Sequence, residues 1–218
     1  MGKNVLIVAA HPDEALGCAG TMAKHVASGD KVHVIFMTNG AESRNTTSNS
    51  DIENRQAAAR KSADILGVTS MEHFDFPDNK MDAVPLLDIV KSIENVINKL
   101  QPEIIHTHHI GDLNIDHQIT HKATITACRP QPGLPVEEIY AFEVPSSTEW
   151  QTPGYLPFTP SVYIDISSQI EIKRKALGVY KEEMRQPPHS RSIDNIIRLN
   201  ALRGEFCWYG LCRSICSY

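Results

Sequence analysis

Runs of aliphatic residues alternate along the chain with segments in which apolar positions recur every three or four residues. Five apolar runs have the length of strands: NVLIVAA (4–10), KVHVIFMT (31–38), EHFDFP (72–77), EIIHTH (103–108) and EIYAFEV (138–144). The segments between them show helical periodicity over residues 15–28, 51–66, 85–100 and 116–128. An apolar run without polar alternation is typical of a strand that is buried on both faces of a sheet.

Strands that alternate with helices predict right-handed βαβ units. We therefore expect an α/β fold, a three-layer Rossmann-like sandwich with a mostly parallel sheet. The later signals are less regular and predict a strand over 160–167 and helices over 168–184 and 192–204. The polar residues 39–50 predict a surface loop. The length fits a single domain that spans residues 1–218.

The charge balance and the apolar content limit the classes of partner. The chain has 21 basic and 26 acidic residues, a net charge of −5 and no block of like charges. It therefore lacks the positive surface expected of a nucleic-acid-binding protein. The longest apolar run near the N-terminus, residues 5–10, is too short for a membrane span and does not have the pattern of a signal peptide.

The cysteine pattern bears on the compartment. Five cysteines, an odd number that is widely scattered except near the end, predict a reducing, cytoplasmic location rather than a disulfide framework. The last three, Cys207, Cys212 and Cys216, lack the CxxC spacing of a zinc site. We expect them to pack around the end of a C-terminal helix.

Three ionisable residues, His11, Asp13 and Glu14, follow directly after the first strand. Ligands of doubly wound sheets bind outside the carboxyl ends of the strands, which is where this trio falls. The turn lacks the glycines of a dinucleotide-binding loop, whereas an imidazole beside carboxylates suits zinc or another divalent ion. The alternative is that the acids only stabilise a helix N-terminus, and it leaves the histidine unexplained.

A second concentration of ionisable residues lies at the end of the fourth strand. The segment IIHTHHIGDLNIDHQITH (104–121) contains five histidines and two aspartates. His117 and His121 are one helical turn apart, and Asp112 or Asp116 could orient a ligating histidine. Packing stays open as an alternative for part of this cluster: one of the two alternating strand histidines could be a core residue, and His121 a solvated helix residue.

Together the two motifs predict one metal centre. His11, Glu14 and His117 would form a set of two histidines and a carboxylate with a position left for water, which is typical of a hydrolytic rather than a structural zinc site. Zinc lowers the pKa of bound water to about 7. Asp13, beside the ligands, would be the general base. The sequence has no GxSxG nucleophile elbow, which disfavours a serine hydrolase.

These motifs carry a resemblance to a known family. AAHPDEALGCAGTMAKHVASGDKVHVIFMTNG, followed by GDLNIDHQITHKA, resembles the PIG-L/LmbE family of metal-dependent N-deacetylases. The segments ENRQAAARKSADILGV (53–68) and HSRSIDNIIRLNALRGEF (189–206) extend the similarity over most of the chain. The resemblance implies removal of an acetyl group from an N-acetylglucosamine-type amino sugar or its conjugate. It also implies Zn²⁺ or another divalent ion such as Fe²⁺ as cofactor, and self-association into a homo-oligomer.

The resemblance also implies roles by position. It makes His11, Glu14 and His117 the metal ligands and Asp13 the general base. It further implies three residues at or beside the sugar pocket: Arg44, Arg55 and Asn79.

Two departures from the family pattern matter. The usual opening has two aspartates after the proline, whereas Asp13-Glu14 is one residue shorter, so Glu14 has to serve as the carboxylate ligand. Many members have an oxyanion-stabilising histidine three residues before the second ligating histidine, and this chain has Asn114 there. A neutral amide donates a weaker hydrogen bond than an imidazolium. His189, from the last motif, is the candidate to supply that cation and to protonate the leaving amine.

Two other functions stay open on the sequence. A metallo-amidase that cleaves a non-sugar amide would keep the same site, and a non-catalytic sugar-binding relative would lack the metal. The substrate is a small molecule in each case. Three aromatic residues of a later loop could stack on a sugar ring or simply pack: Trp150, Tyr155 and Phe158.

Overall fold

A seven-stranded sheet forms the centre of the computed structural model, which describes residues 2–13, 15–39, 49–207 and 212–217. The strands are β1 (Asn4–Ala9), β2 (Lys31–Thr38), β3 (Ser70–Phe76), β4 (Ile104–His108), β5 (Glu138–Phe142), β6 (Val162–Asp165) and β7 (Cys212–Ser217). Their order across the sheet is β3-β2-β1-β4-β5-β7-β6. The first five run parallel, and β7 is antiparallel to both of its neighbours.

Six α-helices accompany the strands in the described part of the chain. They are α1 (Ala19–Ala27), α2 (Asn49–Leu66), α3 (Leu86–Leu100), α4 (Ile115–Ala127), α5 (Ile170–Leu177) and α6 (Ile193–Glu205). None of the described helices is long and apolar enough to cross a membrane.

The aliphatic run of β1 is unbroken because the strand has a core on each face. Ile7 and its neighbours at alternate positions pack on one side, in a cluster that includes residues of α1, α2, α5 and α6. Leu6 and Val8 point the other way, into a cluster built with α3 and α4. Successive side chains of a strand point to opposite faces, so both sets are buried. The prediction of a three-layer sandwich with a mostly parallel sheet is confirmed.

The structure differs from the sequence-based elements mainly after residue 160. The helix expected over 168–184 is shorter, because α5 ends at Leu177. The chain then turns so that Tyr180 is buried, with its hydroxyl donating to the carbonyl of Pro12 at 3.0 Å. Residues Cys212–Ser217 form β7, a strand that the sequence did not predict.

The carboxyl ends of the parallel strands bring separate loops to one edge of the sheet. The strand order reverses at β1, since β2 lies on one side of it and β4 on the other. Ligand sites of open α/β sheets lie at such a reversal. At this edge the segments that follow β1, β3, β4 and β5 meet.

Candidate active site

His11, in the turn after β1, lies between two buried carboxylates. Its Nε2 atom is 3.0 Å from Oδ1 of Asp78 and 3.1 Å from Oδ2 of Asp116. Asp78 follows β3 and Asp116 lies in the first turn of α4, so three separate segments meet here. The three side chains offer ligand atoms within 4.8 Å of one another, and in the described part of the chain they are the group suited to hold a metal ion.

Backbone amides fix the carboxylate of Asp116. Its Oδ2 accepts from the amide of Asn79 at 2.6 Å, and its Oδ1 accepts from the amide of Met81 at 3.1 Å. Asp116 thus ties the loop after β3 to the start of α4 and places its carboxylate beside His11.

His117 is oriented by Asp112. Its Nδ1 atom lies 2.9 Å from Oδ1 of Asp112, and both side chains are fully buried. A carboxylate on one ring nitrogen is a common way to orient a metal-ligating histidine, which then binds through the other nitrogen. Of the two aspartates proposed for this role, the structure gives it to Asp112 for His117, while Asp116 contacts His11.

Asp112 is itself held by the loop after β5. Ser147 and Thr148 donate their hydroxyl hydrogens to its two carboxylate oxygens. Burial alone would raise the pKa of Asp112, but the nearby His117 and these hydrogen bonds lower it to about 2. Asp112 is therefore an anion at neutral pH. Ser147 and Thr148 were not predicted as site residues, because nothing in the loop sequence shows which carboxylate they contact.

The two predicted histidine ligands lie side by side. The ring centroids of His11 and His117 are 5.5 Å apart. His108 stacks on His117 with centroids 4.0 Å apart, and its Nε2 accepts from the amide of Ala10 at 2.8 Å. His121 is buried and its Nδ1 lies 2.8 Å from the carbonyl oxygen of His108, so the structure favours a structural role for it over a solvated one.

The third predicted ligand, Glu14, lies outside the described residues. The described carboxylates next to His11 include Asp78, which was not among the predicted site residues. The sequence did contain an indication of this position, because Asp78 lies in the segment FPDN directly after β3, at the same edge of the sheet as the other motifs. Imidazole and carboxylate groups are the donors that zinc and ferrous ions take in hydrolytic sites, so the side chains present fit a divalent metal.

Asp13, the predicted general base, is paired with an arginine from the last motif. Its Oδ2 atom accepts from Nη1 of Arg191 at 2.8 Å, and Nε of Arg191 donates to Oγ of Ser146 at 2.8 Å. Only 5% of the Asp13 side chain and 19% of the Arg191 side chain are exposed, so solvent screens this ion pair less than a surface pair. Arg191 lies in the segment HSRS, but nothing in that segment indicates a contact with Asp13.

Asn114 and His189, the two candidates for stabilising the oxyanion, occupy different parts of the site. Asn114 caps α4: its Oδ1 accepts from the amide of Asp116 at 2.8 Å, and its Nδ2 donates to Oδ1 of Asn79 at 3.0 Å. Nδ1 of His189 accepts from the amide of Arg191 at 3.0 Å. Both residues are half-buried and close to groups of the site.

The three expected sugar-pocket residues have different surroundings. Asn79 is exposed and donates from Nδ2 to Oδ1 of Asp78 at 3.1 Å. Arg55, on α2, forms an ion pair with Glu183 and lines a surface pocket of about 200 Å³ that also includes Tyr180. Arg44 lies outside the described residues.

His106, the remaining histidine of the strand, belongs to a separate cluster. Its Nε2 atom is 3.3 Å from Nε2 of His25, whose Nδ1 is 2.8 Å from Oδ2 of Asp30. Its ring stacks on Tyr140 with centroids 5.3 Å apart. The structure therefore places His106 in a buried cluster with α1, in agreement with the core alternative.

Comparison with known proteins gives one family and several relatives. The family model of PIG-L, described as GlcNAc-PI de-N-acetylase, matches residues 6–128. A curated diacetylchitobiose deacetylase from Thermococcus kodakarensis is 26% identical over 202 residues, which are 83% of this chain and 70% of that protein.

Solved structures share the fold at lower identity. The N,N'-diacetylchitobiose deacetylase of Pyrococcus horikoshii has a TM-score of 0.79 and 18% identity, over 99% of this chain and 84% of that one. The 4-carboxy-2-hydroxymuconate hydratase GalB of Pseudomonas putida KT2440 has a TM-score of 0.77 and 21% identity, over 99% of this chain and 95% of that one. A deacetylase and a hydratase share this architecture, so the fold alone does not specify the reaction.

Proposed function

The chain belongs to the PIG-L family of de-N-acetylases, which are amide hydrolases, and from this membership we propose a specific reaction. The protein removes the N-acetyl group from an N-acetylglucosamine-type amino sugar or its conjugate, with zinc as cofactor. Water cleaves the amide C–N bond, and the products are acetate and a free amine.

One observation carries the proposal. The imidazoles of His11 and His117 come from segments that follow different strands, and their centroids lie 5.5 Å apart among buried carboxylates. This arrangement occurs at the carboxyl edge of the sheet, where the motifs of the family meet. A core built only for stability has no reason to bury two imidazoles and three carboxylates together, because burying charge is costly.

His11 and His117 would hold the metal, with a carboxylate completing the set. Asp78 and Asp116 are the described carboxylates within reach of His11, and Glu14 stays our candidate from the family pattern. A bound divalent ion supplies Lewis acidity toward the acetyl carbonyl and lowers the pKa of water. Fe²⁺ suits the same donors, and the choice between the two ions depends on their availability as well as on affinity.

Asp13 receives the proton of the attacking water. Its carboxylate is held by Arg191, whose Nη1 donates to Oδ2. The ion pair keeps the carboxylate at a fixed orientation beside His11. A positioned general base contributes a factor of about 100 to 10,000 to the rate.

Asn114 and His189 act after water has attacked the acetyl carbonyl. Asn114 would donate a hydrogen bond to the oxygen on which charge develops, and its position at the start of α4 keeps it close to Asp116 and Asn79. His189 would give a proton to the departing amine. Arg44, Arg55 and Asn79 stay our candidates for contacts with the sugar.

Acetate release tests the proposal. Purified protein reconstituted with Zn²⁺ should release acetate from N-acetylglucosamine or N,N'-diacetylchitobiose, and removal of the metal by a chelator should abolish the release. A non-sugar amide such as N-acetylethanolamine serves as the comparison substrate. Acetate release from that amide alone would favour the metallo-amidase, and metal binding or sugar binding without any release would favour a non-catalytic relative.

A further inference from the structure

Trp150 is a large aromatic side chain that the fold leaves exposed. It closes the short helical turn Thr148–Trp150 after β5, and 53% of its surface is accessible. Its ring meets His189 edge-on, with centroids 5.5 Å apart and planes at 72°. An indole normally buries a large apolar area, so an exposed one beside a candidate active site requires an explanation.

The loop that carries Trp150 is attached to both parts of the candidate site. On one side, Oγ of Ser146 accepts from Nε of Arg191, whose Nη1 donates to Asp13. On the other side, Ser147 and Thr148 hold Asp112, the aspartate that contacts His117. A further bond runs from Nε2 of Gln151 to the carbonyl of Asp112 at 3.2 Å. The loop that carries Trp150 therefore contacts both Arg191, the partner of the proposed base, and Asp112, the partner of a proposed metal ligand.

Hydrogen bonds within the loop after β5 also fix its conformation. The amide of Val144 donates to Oγ1 of Thr148 at 2.7 Å, and the amide of Ser146 donates to Oε1 of Glu149 at 2.7 Å. Ser146 adopts a φ of 69°, a left-handed conformation that is uncommon for a residue other than glycine. The indole is thus presented on a fixed turn, and a preorganised contact costs less entropy on binding.

We propose that Trp150 is the platform on which the pyranose ring of the substrate stacks, with the ring of His189 set edge-on against the indole. The proposal rests on the deacetylase function above and names its substrate class as cyclic N-acetyl amino sugars. The C–H groups on one face of a pyranose form a flat apolar surface. Their hydrogens are weakly positive, which complements the negative face of an indole. An open-chain N-acetyl amine has no such face and gains nothing from the platform.

Steady-state kinetics of acetate release test the platform. N-acetylglucosamine and its reduced open-chain form, N-acetylglucosaminitol, have the same amide and differ in the ring. The Trp150→Ala variant should raise KM for N-acetylglucosamine about tenfold, with kcat within about twofold and no change for the alditol. Trp150→Phe should keep most of the wild-type KM, because it retains an aromatic face.

The matched control is Phe206→Ala. Phe206 is 65% exposed at the end of α6, and no described contact joins it to the candidate site. This variant should have wild-type KM for both substrates. An equal rise in KM for the sugar and the alditol in Trp150→Ala, or no rise for either, overturns the platform.

A binding measurement separates failure of the platform from failure of the proposed function. In saturation-transfer NMR with D-glucosamine, the ring C–H protons should receive saturation from wild-type protein and from Phe206→Ala. The signal should be largely lost in Trp150→Ala, and undiminished signal there contradicts the platform. If sugar binding depends on Trp150 but no acetate is released from any N-acetyl sugar, the deacetylase proposal is wrong and the platform stands.

Discussion

Arg191 Nη1 lies 2.8 Å from Asp13 Oδ2, so the last motif of the chain pairs with the first one. Asp13 follows β1, and Arg191 lies just before α6. The guanidinium is held in turn by Oγ of Ser146. The orientation of the proposed base therefore depends on residues from three separate segments, and removing the arginine should affect the reaction more than the binding of substrate.

Replacing Arg191 by Ala should lower kcat about 100-fold and leave KM nearly unchanged, because small displacements of a catalytic group have effects of this size. Arg191→Lys should recover part of the loss, since it keeps the charge but loses the bond to Ser146. Steady-state acetate release measures both parameters. Arg198→Ala, at an exposed position on α6, is the control. A rise in KM at constant kcat would show that Arg191 binds substrate instead.

Replacing Asp13 by Asn should reduce kcat by a factor of about 100 to 10,000, because the amide cannot accept the proton of the attacking water. The metal content should stay at the wild-type value, since Asp13 is not assigned as a ligand. Acetate release and elemental analysis of the same sample give the two readouts. Wild-type turnover in this variant would remove Asp13 from the role of base.

Replacing Asp112 by Asn should weaken metal binding about 10- to 100-fold, because His117 loses the carboxylate that orients its ring. The free energy of unfolding should also fall by about 1–3 kcal/mol, since Ser147 and Thr148 lose a charged acceptor. Competition with a chelator and urea denaturation measure the two effects. Asp82→Asn, at an exposed position in the loop after β3, should change neither.

His73 should make the stability of the protein depend on pH. Burial, with a smaller contribution from the charge of Arg60, lowers the pKa of His73 below its usual value of 6.5. The unfolded chain therefore binds a proton at a higher pH than the folded chain does. Above the pKa of His73 in the unfolded chain, this group does not affect the free energy of unfolding. As the pH falls below that pKa, the free energy of unfolding decreases.

The free energy of unfolding should accordingly decrease from about pH 7.5 to about pH 5.5 in the wild type. His73→Phe, which keeps a ring against Phe36, should show a smaller decrease. Urea denaturation at the two pH values provides the comparison. An identical decrease in both proteins would mean that His73 titrates normally in the folded state.

The parallel sheet and the meeting of the two motifs could be predicted from the sequence. The unbroken run in β1 required a core on each face, and the structure has both. Parallel strands place their carboxyl ends at one edge, so the segments with His11 and His117 were expected to meet although they follow different strands.

The contacts that complete the site could not be predicted. Asp78 is close to His11 because of how the loop after β3 folds, and Arg191 reaches Asp13 across 178 residues of sequence. Such contacts depend on tertiary packing rather than on periodicity. The strand β7 could not be predicted because its segment is short and of mixed polarity and pairs with β5, a strand distant in the sequence.

Metal content is the most direct test of the central claim, which is that the segments after β1 and β4 bind one divalent ion together. Elemental analysis of wild-type protein reconstituted with Zn²⁺ should give about one ion per chain. His11→Ala and His117→Ala should each lose most of the metal, while Asp13→Asn retains it. Equal metal content in the wild type and in both histidine variants, or no bound metal in the wild type after reconstitution with Zn²⁺ or Fe²⁺, would contradict the account.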